Sequence, residues 1–92
     1  MSDELISAEQ ERWLSGWSAA NFPTARDNAE YHYWKHATDL SFWEYVCQAV
    51  EFPRATARSR LQPDGTILYQ SRDGRFVIDR QGLVVTYGWN RS

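Results

Sequence analysis

With 92 residues the chain fits a single domain, and a chain of this length buries only a modest fraction of its surface unless its core is dense. Five Trp, five Tyr and four Phe supply the apolar area for such a core. No apolar run approaches the ~20 residues of a membrane span, the acidic first residues do not fit a signal peptide, and the single cysteine excludes an intrachain disulfide.

Charge is divided unevenly along the chain, whose net charge is −2. Residues 1–52 carry nine acidic and three basic groups, a net of −6, whereas residues 53–92 carry seven arginines and three aspartates, a net of +4. Such an asymmetry is typical of a basic half that contacts a polyanion. Attraction between the two halves, or a solvated arginine face, explains it equally well.

The first predicted helix begins at a capping box. Ser7 is its N-cap and Gln10, three residues later, reaches back to the cap. The apolar spacing predicts that this helix carries Trp17 on its packed side and ends between residues 16 and 20. Pro23 then breaks the chain, because proline drives the preceding residue out of the helical region.

Two further helices follow in the first half. Thr24 caps the second, with Asp27 near the positive end of the helix dipole. Ser41 and Glu44 form another capping box, and the apolar residues after it follow the helical period until Pro53. The helical part of the chain is therefore predicted at residues 7–52.

After residue 53 the apolar period changes to two, which predicts strands at 55–61, 66–71, 75–79 and 83–87. A turn containing glycine separates each pair of strands: Asp64-Gly65, Asp73-Gly74 and Gln81-Gly82. The predicted fold class is α+β, with two or three N-terminal helices packed on a three- to four-stranded antiparallel meander at residues 55–89. We expect one domain over residues 1–92.

Both histidines and the only lysine fall within five residues of the second helix. In a helix His32 and His36 lie one turn apart on the same face, with Lys35 beside them. Histidine transfers protons near neutral pH, so the pair is a candidate general acid and base. A histidine one turn from another is also common as a plain packing residue, and both interpretations stay open on spacing alone.

Other site chemistries fit less well. His32 and His36 have the spacing of two zinc ligands, but the glutamate of His-Glu-x-x-His is missing and Cys47 has no reason to lie near them. The chain has no Gly-rich phosphate loop and no Gly-x-Ser-x-Gly motif. We therefore expect neither a metal nor a cofactor.

Several motifs follow one another in a definite order after residue 28. They are His-Tyr-Trp-Lys-His-Ala at 32–37, Tyr45 and Ala49 on the next helix, Gly-Arg-Phe-Val-Ile-Asp at 74–79, and Thr86-Tyr87. This order resembles the small C-terminal ribonuclease toxin domains of bacterial polymorphic and contact-dependent inhibition systems, in the barnase, EndoU, colicin and RelE-like superfamily. Those domains read His-Phe-x-Lys-His-Gly, then a helix with Tyr and Ala, then a sheet ending in Thr-Tyr-Phe. The resemblance covers residues 28–89.

The resemblance implies metal-independent cleavage of RNA by the RNA's own 2′-hydroxyl, with tRNA among the candidate substrates. His32 and His36 would serve as base and acid in an order that stays open, and Lys35 would neutralise charge on the phosphate. Thr86 and Tyr87 would orient that phosphate. Four arginines would bind the flanking RNA backbone: Arg58, Arg60, Arg72 and Arg75.

The resemblance also implies partners and a site of action. The partners would be RNA and a cognate immunity protein, with no membrane contact, and the toxin would act in the cytoplasm after delivery to a target cell as part of a larger protein. The alternative hypothesis is a non-catalytic protein-interaction module, such as an immunity or adaptor protein, that binds through its Trp and Tyr side chains. The acidic net charge fits this alternative more directly.

Overall fold

A computed structural model describes residues 6–89, as three helices followed by four strands. The helices are α1 (Ala8–Leu14), α2 (Ala25–His36) and α3 (Phe42–Val50). The strands are β1 (Arg58–Leu61), β2 (Ile67–Gln70), β3 (Arg75–Arg80) and β4 (Leu83–Trp89). Each strand pairs antiparallel with the next, in the order β1-β2-β3-β4. The predicted α+β arrangement with an antiparallel meander is confirmed.

Local hydrogen bonds fix the start of each helix. The Ser7 side chain accepts the N–H of Gln10 at 3.0 Å, and the Ser41 side chain accepts the N–H of Glu44 at 3.2 Å. Both Gln10 and Glu44 accept the cap residue's own N–H in return, which completes the two capping boxes. The hydroxyl of Thr24 caps α2 in the same way at 3.0 Å. All three predicted N-caps are confirmed.

The first helix ends earlier than the sequence predicted. α1 stops at Leu14, and Trp17 lies beyond it in a short parallel bridge to Val84. The Ser18 N–H donates to the Val84 carbonyl at 2.7 Å, and the Val84 N–H donates to the Gly16 carbonyl at 2.8 Å. Trp17 therefore enters the core from an extended segment, because this bridge to the edge of β4 replaces another helical turn.

Side-chain alternation gives the sheet two different faces. The core face holds Val77 and Tyr87, which are both buried, and the hydroxyl of Tyr45 on α3 donates to the Tyr87 carbonyl. We call the opposite side the open face. It consists of two rows that run across all four strands: Arg58, Gln70, Phe76 and Gly88 in the first row, and Arg60, Leu68, Ile78 and Thr86 in the second.

A β-bulge near the start of β4 decides which of its side chains share a face. The pairing with β3 shifts between Ile78 and Asp79, which leaves Val85 as an extra residue. Val84 and Tyr87 are therefore both buried although they lie three residues apart. Simple alternation would have put them on opposite faces.

Helix α2 covers the free edge of β4. The Asn28 side chain is 0% exposed, and its Nδ2 donates to the Val85 carbonyl at 3.0 Å and to the Ser18 carbonyl at 2.9 Å. Carbonyls at a sheet edge need such partners once water is excluded. The two hydrogen bonds also fix the rotation of α2 about its axis. Residues 32 and 36, one and two turns further on, consequently face β4.

Candidate functional site

The two histidines meet the last strand at one margin of the open face. His32 Nε2 lies 3.1 Å from Thr86 Oγ1. The His36 ring stacks on the His32 ring with centroids 5.9 Å apart and planes at 3°. A Cβ at Gly88 would lie 3.4 Å from His36 Cγ and 3.3 Å from Phe76 Cε1. The absence of a side chain at Gly88 therefore lets the His36 ring lie close to the backbone of β4.

One stripe of α2 carries polar side chains at a spacing of four residues, namely Asn28, His32 and His36. The neighbouring stripe, with buried Ala29 and half-buried Tyr33, packs against the core and α3. Apolar burial of α2 thus comes from the second stripe. The first is free to carry groups that donate and accept hydrogen bonds along β4.

Burial keeps both imidazoles neutral. It lowers the pKa of His32 to about 4, with further lowering by the charges of His36 and Lys35. Burial, and then the Lys35 charge, also lowers the pKa of His36. Within residues 6–89, His32 Nδ1 is buried without a hydrogen-bond partner, so a proton there would have no acceptor. His32 Nε2 and the Thr86 hydroxyl share a hydrogen bond whose donor depends on the tautomer of the ring.

We expect the His32 ring of the free protein to titrate near pH 4 rather than near its ordinary pKa of 6.5. Because the pKa of His32 is lower in the folded state, the unfolded chain binds more protons than the folded chain between pH 4 and 6.5. The free energy of unfolding therefore falls as the pH is lowered from about 6.5 towards 4. An NMR titration of the imidazole Cε1–H shifts measures the pKa of His32. Urea unfolding at pH 7 and pH 5 measures the change in stability. The His32→Gln protein should show a flatter stability profile. A His32 midpoint between pH 6 and 7 would contradict this assignment.

Lys35 lies next to the histidines in sequence but points to solvent. Its ammonium nitrogen is 5.7 Å from the centroid of the Tyr31 ring. Its charge still lowers the pKa of His32 and of His36, so it acts on the pair through space. A phosphate held beside the rings would lie within the same electrostatic range.

Two residues that the sequence grouped with the histidines lie on the core face. The hydroxyl of buried Tyr87 donates to Gln48 Oε1 at 2.9 Å and accepts from Arg75 at 3.2 Å. Arg75 also binds Asp73 through Nε at 2.9 Å. Neighbouring residues of a strand point to opposite faces, so Tyr87 and Thr86 cannot both face α2. Tyr87 is therefore a core residue, Arg75 is a β3 residue on the same face that binds Tyr87 and Asp73, and neither belongs to the site.

The other three predicted RNA-binding arginines are exposed and have no side-chain partner among the described residues. Arg58 and Arg60 begin the two rows of the open face on β1, and Arg72 lies in the turn between β2 and β3. By contrast, Arg54 and Arg80 each pair with an aspartate, at 3.0 and 3.9 Å. Uncompensated positive charge therefore collects at the β1 side of the open face, opposite the histidines.

Three residues of the site were not predicted from the sequence. Asn28 continues the four-residue spacing of the histidines towards the start of α2, and that spacing could have revealed it. Gly88 lies two residues after Thr86 and so shares its face. Phe76 joins the site only through its pairing with Gly88, for which the sequence carries no local signal.

No family model, curated protein or solved structure matches this chain. None of the helices within residues 6–89 is long and apolar enough to cross a membrane. In the same range, no group of three or more His, Cys, Asp or Glu side chains could hold a metal ion. Cys47 lies on α3, and partial burial raises its pKa to about 11, so its thiol stays protonated at neutral pH.

Proposed function

We propose that the protein cleaves RNA through attack of a 2′-hydroxyl on the adjacent phosphate, with the imidazoles of His32 and His36 as proton-transfer groups. One observation carries the proposal. Two stacked imidazoles lie beside the Thr86 hydroxyl, 3.1 Å from the nearer ring, at the margin of a sheet face whose far side holds unpaired arginines. Proton transfer groups and a cationic backbone track are what this chemistry requires.

The reaction needs two proton transfers and one exchange of bonds at phosphorus. One imidazole takes the proton of the 2′-hydroxyl while the 2′-oxygen bonds to phosphorus. The bond from phosphorus to the 5′-oxygen breaks, and the other imidazole, in its protonated form, donates to that oxygen. The products are a 2′,3′-cyclic phosphate and a free 5′-hydroxyl. The Thr86 hydroxyl orients the His32 ring, and Lys35 offsets charge on the phosphate.

A neutral imidazole can act as the general base, but the general acid must be protonated. Binding of the RNA substrate supplies the condition for that protonation. A phosphate beside the pair adds negative charge, which raises the pKa of each imidazole. The titrations of His32 and His36 are coupled, so RNA binding favours uptake of one proton that the two rings share. In the free protein the charge of Lys35 lowers the pKa of His32 and of His36, and the negative charge of a bound phosphate offsets this effect.

The open face suits a single strand of RNA better than a duplex. Phe76 lies between the arginines and the histidines in the first row and offers an aromatic side chain on which a base can stack. Arg58 and Arg60 contact the backbone from the far edge. By analogy with the toxin domains, the target is cytoplasmic RNA of a recipient cell, with tRNA as a candidate. A cognate immunity protein would then cover His32 and His36 in the producing cell.

Incubation of the purified protein with total RNA in the presence of EDTA tests the proposal. We expect fragments that end in 2′,3′-cyclic phosphate, and no cleavage of an RNA that is 2′-O-methylated throughout. RNA that stays intact, cleavage that EDTA abolishes, or fragments with 5′-phosphate ends would each contradict the proposed reaction.

The second candidate function is a non-catalytic protein-interaction module. It is favoured by the outer surface of α2, where Trp34 is 71% exposed and Tyr31 is 49% exposed. Large exposed aromatic side chains often dominate the affinity of a protein interface. This candidate predicts that Trp34→Ala weakens binding to a protein partner and that changes at His36 leave the binding intact.

A further inference from the structure

A polar groove lies where β1 begins and β2 ends, away from the histidines. Its volume is about 550 Å³. We define the polar groove by its lining residues: Thr56, Ala57, Arg58, Gln70, Ser71 and Arg72. Nearly all of these side chains can donate a hydrogen bond, and two of them carry a fixed positive charge.

The charge of the polar groove is not cancelled within the described residues. Arg58 and Arg72 have no carboxylate partner there, and both are exposed. The nearby carboxylate of Asp73 is already engaged, because Ser71 Oγ donates to it and Arg75 Nε lies 2.9 Å from it. Two unpaired guanidinium groups beside the side-chain amide of Gln70 make a site for an anion, and guanidinium is well matched to phosphate.

The polar groove is joined to the histidines by the first row of the open face. Arg58 and Gln70 belong both to the groove lining and to this row, which continues through Phe76 to Gly88 beneath the His36 ring. Three strand spacings separate the two ends, roughly 14 Å. A four-stranded sheet in RNA-recognition modules stacks about two or three bases across this width.

We propose that the polar groove binds a backbone phosphate of the RNA about two or three nucleotides from the phosphate that is cleaved. The inference rests on the proposed function and adds to it a substrate requirement. A dinucleotide reaches only the histidines, whereas a strand of five or six nucleotides also reaches Arg58 and Arg72. Short RNA is therefore a poor substrate because it leaves the polar groove empty.

The test compares cleavage of a dinucleotide and a hexanucleotide RNA by the native protein and by the Arg58→Ala/Arg72→Ala variant. For the hexanucleotide we expect kcat/KM to fall at least about tenfold in the variant, since alanine cannot form the charge-assisted hydrogen bonds of the two guanidinium groups. For the dinucleotide it should stay within about twofold of native. The salt dependence of hexanucleotide affinity should become shallower by ~0.7 in logarithmic slope for each phosphate that the variant no longer neutralises.

Arg12→Glu is the matched control, because it changes the net charge by the same amount on the exposed surface of α1. This control should cleave both RNAs like the native protein. An equal decrease for both RNAs in the double variant, no decrease for either, or the same decrease in Arg12→Glu would overturn the role of the polar groove while cleavage itself stands. A native protein that neither binds nor cleaves either RNA would overturn the proposed function and this inference with it.

Discussion

We expect the His36→Gln protein to cleave RNA about 10²- to 10⁴-fold more slowly than the native protein, measured as kcat/KM on a defined oligonucleotide. Glutamine fills much of the space of the imidazole and keeps hydrogen-bonding atoms, but it cannot take up and release a proton near neutral pH. His36 is the better of the two rings to alter, because His32 also forms a hydrogen bond with Thr86. The effect of replacing both rings together should be far smaller than the product of the two single effects, since they act as a unit.

Trp34→Ala is the control for this experiment, because it changes a large side chain of the same helix that is 71% exposed. It should fold and cleave RNA like the native protein. Thermal unfolding followed by circular dichroism must show that the His36→Gln protein keeps its fold. Added imidazole should restore part of the activity of the smaller His36→Gly variant. Native-like cleavage by His36→Gln would remove the proton-transfer role, and native protein that is harmless when expressed without an antidote would favour the interaction module.

The largest effect on stability is expected at Asn28. Asn28→Asp replaces a buried amide that donates to two carbonyls by a carboxylate that faces the same carbonyls. An unpaired buried charge of this kind costs about 3–5 kcal/mol in the free energy of unfolding. A domain of this size has only about 5–15 kcal/mol in total, so the variant should unfold at a much lower urea concentration, and Tm should fall by more than about 10 °C.

The destabilisation by Asn28→Asp should shrink as the pH falls. Burial raises the pKa of the introduced carboxyl, and its protonated form can donate one hydrogen bond again. Urea unfolding of variant and native protein at pH 7 and pH 5 measures the difference. Asp27→Asn, the reverse change one residue away, should cost only about 0.3–1 kcal/mol through the helix dipole. A decrease below about 1 kcal/mol for Asn28→Asp would show that the amide does not hold α2 on β4.

Local interactions explain why much of the fold was predictable. Each N-cap hydrogen bond joins residues three apart, so Ser7, Thr24 and Ser41 reveal the helix starts by themselves. The turn glycines Gly65, Gly74 and Gly82 have φ between 86° and 89°, a conformation that other residues rarely adopt, and they reveal the strand ends in the same way. The end of α1 was not predicted correctly because it depends on the bridge between Trp17 and Val84 of β4, which is distant in sequence.

The chain itself determines that His32 and His36 share one face of a helix, since that follows from helical spacing alone. Only the tertiary structure decides what the face meets. The hydrogen bonds of Asn28 turn it towards β4, and strand alternation presents Thr86 there while it sends Tyr87 to the core. Burial then makes the largest contribution to the lowered pKa of both imidazoles, and burial depends on how much water the whole fold excludes. The smaller contribution of the Lys35 charge comes from a neighbour in sequence.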